Sequence, residues 1–119
     1  MSFLVILQLN SKILKMSLLS ITFHTIEQQF NAWEQYTEEH LYPIIETFSG
    51  VQKYILSDVV TEMLSEGKNT NLLLEFKDKN KRDLFLESEL PNLHDHITEK
   101  FGDTVMIFIT QLNIKKSRG

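Results

Sequence analysis

The strongest constraint on how this 119-residue chain can fold is one long amphipathic stretch from Thr25 to about Thr47, with a β-like run on either side of it. Its apolar positions, Ile26, Phe30, Trp33, His40 or Leu41, Ile44 and Phe48, recur at helical spacing and predict one buried stripe. Thr25 reads as an N-cap with Gln28 three residues on, and Glu27 lies in the first turn, where the helix dipole favours negative charge. Pro43 cannot donate to the carbonyl four residues back, so a kink or a separate last turn is expected there. Gly50 supplies the stop.

Before this helix, Leu19, Ile21 and Phe23 alternate with Ser20, Thr22 and His24, the period of a strand over Ser17 to His24. After it, Val51 to about Thr61 reads as a second strand. Turn chemistry at Ser65-Glu66-Gly67-Lys68-Asn69 joins that strand to a third, Leu72 to Phe76. A charged connection, Asp78 to Arg82, leads into a second helix with Leu84, Phe85, Leu90, Leu93, Ile97 and Phe101 on its apolar side, interrupted by Pro91 and ended by Gly102-Asp103. Val105 to Ile114 makes the last strand. The order β-α-β-β-α-β is the split βαβ arrangement of α+β, ferredoxin-like folds: a four-stranded antiparallel sheet with both helices on one face. The other face is expected to carry Leu18, Tyr54, Leu56 and Leu73. Such an exposed apolar sheet face points to self-association, sheet on sheet, as a homodimer.

Length and the absence of repeats or linkers predict one domain over residues 16–114, followed by a short basic tail, 115–119. Residues 1–15 read as an appendage or an upstream extension ahead of Met16. Their apolar run Phe3–Leu7 lacks the flanks of a secretory signal and is too short to span a bilayer, so no membrane association is expected. With no cysteine, disulfides, thiolate nucleophiles and Cys-ligated metals are excluded, which fits a cytoplasmic protein. A net charge of −4 with dispersed Lys and Arg argues against nucleic acid as a partner.

The strand Ser20-Ile21-Thr22-Phe23, the helix carrying Trp33 into Glu39-His40-Leu41-Tyr42-Pro43, and the closing Lys100-Phe101-Gly102-Asp103 before an apolar strand together resemble a small bacterial domain family of unknown function. That family is related to the dimeric α+β barrel superfamily, and the resemblance covers roughly Met16 to Ile114. It implies the fold and a dimer, and no established activity. In the family pattern one apolar residue separates the His from the Pro; here Tyr42 is an additional residue between Leu41 and Pro43.

His40 is the leading candidate for chemistry, near the C-terminal end of the kinked helix, where the dipole favours imidazolium. A hydrogen-bonded structural histidine is the more common case. Trp33, Tyr36 and Tyr42 could line a pocket for a flat apolar ligand, although the core accounts for Trp33 more simply. His24, with Ser20 and Thr22, is expected on the sheet face away from the helices, the cavity side of a dimeric barrel. His94 and His96 lie two apart on a helix and cannot chelate together, so no metal is expected. There is no nucleophile elbow, phosphate loop or Gly-rich turn opening a helix, and so neither a catalytic motif nor a cofactor is expected. The leading expectation is a small homodimeric domain that binds a small molecule or protein partner in the pocket between helix and sheet. The alternatives are a cofactor-free monooxygenase or isomerase of the dimeric α+β barrel type, acting on a small aromatic substrate with His40 as acid or base, and a module that captures a partner at a sheet edge.

Overall fold

The computed structural model describes residues 16–60 and 66–118; the expected extension over residues 1–15 and the first residue of the expected turn, Ser65, lie outside the described residues. Alternation decides the centre of the fold. Strand β1 (Ser17–Thr25) turns Ser17, Leu19, Ile21, Phe23 and Thr25 into the core and leaves the residues between them on the other face. It pairs antiparallel on both sides, with β3 (Lys68–Phe76) and with β4 (Val105–Asn113), while β2 (Val51–Asp58) pairs with β3 at the edge. The sheet order is β2-β3-β1-β4, the expected ferredoxin-like topology.

The first helix differs from expectation at its start. Thr25 stays in the strand, opposite Lys68 and Val105, and its Oγ1 has no partner among the described residues, so the predicted capping box does not form. The Ile26 N–H donates instead to the Thr104 carbonyl (3.1 Å), and a 3-10 turn over Glu27–Gln29 leads into α1 (Phe30–Tyr36). A π-helical turn, Thr37–Leu41, then connects α1 to α2 (Tyr42–Glu46), with the Tyr42 N–H donating to the Thr37 carbonyl five residues back. A π turn takes up one residue more than an α turn, and it stands just before Tyr42 and Pro43. Its effect is to rotate the downstream stripe by one position. Trp33, Thr37, Leu41 and Ile45 are buried, whereas His40 is exposed and Ile44 only half-buried, which corrects the 3.6-residue stripe expected through His40 and Ile44.

A second one-residue event lies in β2. The register runs Val51 opposite Phe76 and then Lys53 opposite Glu75, so a bulge falls at Gln52. Tyr54 and Leu56 therefore pack against the core on the helix side, and Lys53 and Ile55 take the open face, where Tyr54 and Leu56 were expected.

The second helical segment is two helices, α3 (Lys79–Glu87) and α4 (Glu89–Phe101). Asp78 caps α3 by accepting from the Lys81 N–H (2.9 Å). The break falls at Ser88, so Pro91 lies in the first turn of α4, where its missing N–H leaves no gap in the ladder. Phe85, Leu90, Leu93, Ile97 and Phe101 are buried as expected, but Leu84 is 57% exposed, because α3 presents Arg82 and Phe85 to the core and position 84 turns about 100° away. Rings close the layer: Phe85 meets Phe48 at 4.9 Å and Phe76 at 5.4 Å between centroids, and Trp33 meets Phe23 at 5.2 Å and Phe101 at 5.6 Å. The space between helices and sheet is thus filled by side chains, so the pocket expected there does not form among the described residues.

Two polar ties hold the layers in register. Arg82, buried, donates through Nη1 to the Leu18 carbonyl (3.1 Å), the Leu112 carbonyl (2.9 Å) and Asn113 Oδ1 (3.1 Å), joining α3 to the ends of β1 and β4. Lys68 on β3 donates to Glu34 on α1 at 2.6 Å. That hydrogen bond is the chief cause holding the Lys68 ammonium above its ordinary 10.5, against the opposing effect of partial burial.

Arg82→Ala is expected to lower the unfolding free energy by about 2–3 kcal/mol, because buried acceptors lose a charged donor. The readout is the urea midpoint at unchanged slope; a shift within error would show that the guanidinium is dispensable. For Lys68 the sign follows from a raised folded pKa: the stabilisation is complete below 10.5 and is lost as pH rises through the folded value. Because the pair is near the surface it amounts to about 0.5–1 kcal/mol. In Glu34→Gln, stability should fall less steeply above that pH than in the parent, as followed by alkaline denaturation.

Candidate functional site

The face of the sheet opposite the helices is built by the residues that alternate with the core. Across β3, β1 and β4 they form ranks: Glu75, Leu18 and Leu112; Leu73, Ser20 and Thr110; Asn71, Thr22 and Phe108; Asn69, His24 and Met106. Strand β2 adds Lys53, Ile55 and Ser57 beside Glu75, Leu73 and Asn71. The middle of this face is a polar strip whose members satisfy one another. Asn71 Nδ2 donates to Ser20 Oγ (2.7 Å) and Thr22 Oγ1 (3.1 Å), and His24 Nδ1 lies 2.7 Å from Asn69 Oδ1. The His24 ring is seated over Gly67, where a Cβ would stand 2.6 Å from Cε1 and Nε2 and 2.9 Å from the Thr25 carbonyl oxygen. Gly67 also has φ +110°, so only glycine fits this approach.

Around the strip the face carries exposed apolar side chains. Phe108 is 54% exposed and Ile55 48%, and Met106 and Leu112 are also exposed. At the end where β1 begins, Leu18, Lys53, Tyr54, Ile55, Leu73 and Glu75 line a recess of about 360 Å³, completed by Ile114, Lys116 and Ser117 from the segment after β4.

The candidate residues from the sequence do not meet in one place. His24 lies in the polar strip. Trp33 is 1% exposed in the core, donating from Nε1 to Thr70 Oγ1 (3.2 Å), so it offers no surface to a ligand. Tyr36 and His40, with ring centroids 5.2 Å apart, line a wide, shallow cleft of about 500 Å³ between the first helix and α4, together with Ile44, His96, Glu99 and Lys100. Burial raises the Tyr36 hydroxyl above its ordinary 10.0, and the Lys100 ammonium stands 5.6 Å from the ring centroid. Tyr42, exposed, borders a small recess with Glu34, Thr37, Ser57 and Asp58. Among the described residues no group of three or more His, Cys, Asp or Glu is arranged to hold a metal ion. Sequence reasoning missed Asn69 and Asn71, although their period-two spacing ahead of Leu73 was visible. It also missed Arg82, which reads as one charge in a charged connection and whose role depends on β1 and β4 lying beneath it.

The chain matches the family model described as "Domain of unknown function (DUF4286)" over residues 16–115. No curated protein matches it. Among solved structures it is similar to a dimeric ferredoxin-like protein from an uncultured marine organism, with a TM-score of 0.62 and 15% identity, covering 86% of this chain and 97% of that one. It is similar also to an ethyl tert-butyl ether D family protein from Bacillus halodurans (TM-score 0.60, 11% identity, 79% of this chain and 96% of that one). A third similar structure is a cofactor-independent oxygenase from Streptomyces nogalater (TM-score 0.53, 10% identity, 85% and 95%). At these identities the likeness concerns the fold. Among the described residues no helix is long and apolar enough to cross a membrane.

Gly67→Ala should cost about 1–3 kcal/mol in backbone strain and push the His24 ring off Asn69. Both effects are readable, the first by thermal unfolding and the second as displaced His24 imidazole resonances in NMR spectra. Unmoved resonances would show that the ring does not depend on that glycine.

Proposed function

Because the chain belongs to the DUF4286 family, a family of unknown function, we propose its role from the surface it leaves open: two copies pair through their open sheet faces, and the pair holds a small molecule against the strip of Ser20, Thr22, His24, Asn69 and Asn71. The observation that carries this reading is the composition of that face, an internally hydrogen-bonded polar centre flanked by exposed Ile55, Met106, Phe108 and Leu112. Apolar surface of this kind on one face of a sheet is characteristic of an interaction site. Strands of eight or nine residues at about 3.3 Å rise, four abreast at about 4.8 Å, make a face of roughly 19 by 30 Å, near the lower end of the size range of standard interfaces. The neighbour described as a dimeric ferredoxin-like protein supports pairing as such.

The acid–base role considered for His40 finds less support. His40 is exposed at a wide, shallow cleft, which leaves its imidazole open to water. His24 has the more ordered setting, with one ring nitrogen engaged by Asn69 and the other close to the Gly67 backbone.

Native mass spectrometry at micromolar concentration should show a species at twice the 14.0 kDa chain mass, carrying a discrete additional mass when the protein is isolated gently from cells. Phe108→Lys combined with Ile55→Glu should yield a folded monomer, since both side chains are exposed in the single chain. A parent protein that is monomeric would remove the paired-face reading, and a dimer indifferent to both substitutions would place the interface elsewhere.

A further inference from the structure

We propose that the recess at the β1 end of the open face is the seat of a small amphipathic organic acid, its carboxylate held by Lys53 and Lys116 and its apolar body lying on Leu18, Ile55, Leu73 and Ile114. This deepens the reading of the open face as the working surface and rests on it. Three observations support the assignment. The recess, at about 360 Å³, falls at the lower end of the range of pockets that take small ligands, roughly 300–1,000 Å³. Its lining is divided by chemistry, with four aliphatic side chains against three charged ones, beside Tyr54 and Ser117. The sign of the charge is specific: in a chain of net charge −4, Lys53 and Lys116 outnumber Glu75, so this part of the surface is positive where the whole is negative.

The two lysines come from different elements. Lys53 reaches the open face because the bulge at Gln52 shifts the β2 register, and in that register it stands opposite Glu75. Lys116 comes from the segment that follows β4. Glu75 opposes an anion, and its proximity to Lys53 leaves Lys116 as the stronger partner for a carboxylate. A compact ammonium on a flexible stem suits a single carboxylate approached from varied angles. The ligand is a free acid with a body of about eight to ten non-hydrogen atoms, which a recess of this size accommodates. Pairing of the open faces would enclose it.

Octanoate and octanol are matched probes, identical in apolar body and different in charge. NMR titration of the full chain is expected to give saturable shifts at Leu18, Ile55, Leu73 and Ile114 with octanoate, and binding at least about tenfold weaker with octanol. Lys116→Gln should weaken octanoate about tenfold, Lys53→Gln less, and Glu75→Gln should tighten it, the opposite sign to the lysine variants. Equal affinity for octanol, or variants without effect, would overturn the assignment. The oligomeric state is read on the same samples by native mass spectrometry. A dimer without saturable shifts overturns the acid site and leaves the pairing standing. A monomer that binds octanoate with the expected variant pattern upholds the acid site and overturns the pairing.

Discussion

Strand β1 is the constraint from which the rest of the structure follows. It is paired on both sides, so its backbone has no freedom to slide without breaking two ladders, and a slip of one residue would exchange its faces. Leu19, Ile21 and Phe23 are fully buried under the helices, each stabilising the fold by about 1.5–3 kcal/mol, so the slipped register is strongly disfavoured. Ser20, Thr22 and His24 are in consequence held on the opposite face at fixed spacing. The order of the polar strip is inherited from the core and needs no pocket of its own.

What could be read in the sequence is whatever depends on period alone. The alternation of β1, the apolar side of α4 through Leu93, Ile97 and Phe101, and the β-α-β-β-α-β order all follow from spacing, and the topology rules then leave few arrangements. Period fails where a single residue is inserted into a regular element. The bulge at Gln52 reverses β2, carrying Tyr54 and Leu56 inward and Lys53 and Ile55 outward, and nothing in Val51-Gln52-Lys53 announces it. The bulge is settled by pairing with β3, where Phe76 takes Val51 to the core side and Glu75 takes Lys53 to the open one. That is tertiary information.

The π turn is the same event in a helix. A π turn takes up one residue more than an α turn, so a fixed 3.6-residue period carried through Thr37–Leu41 places the residues after it one position off. The wider turn leaves Leu41 and Ile45 on the core side and places His40 outside. An N-cap was misread for a related reason: Thr25 and Gln28 match a capping pattern, but β4 claims Thr25 as a strand partner and the Ile26 N–H is taken by Thr104. Local preference yields when a longer-range ladder satisfies the same groups.

The polar strip bears on whether the open face can be covered at all. Burying unsatisfied hydroxyls and amides would cost about 1–3 kcal/mol apiece, enough to cancel the gain from the apolar residues around them. Here Asn71 already satisfies Ser20 and Thr22, and Asn69 engages His24, so much of that cost is met within the single chain. Covering the face then removes Ile55, Met106, Phe108 and Leu112 from water with little penalty from the strip itself, and leaves Lys53 and Glu75 as the charges that need partners. The hydroxyls of Ser20 and Thr22 accept from Asn71 and keep their own hydrogens for other partners, so they are groups a bound molecule can recognise. The same side chains thus make the face coverable and give an enclosed ligand something polar to contact.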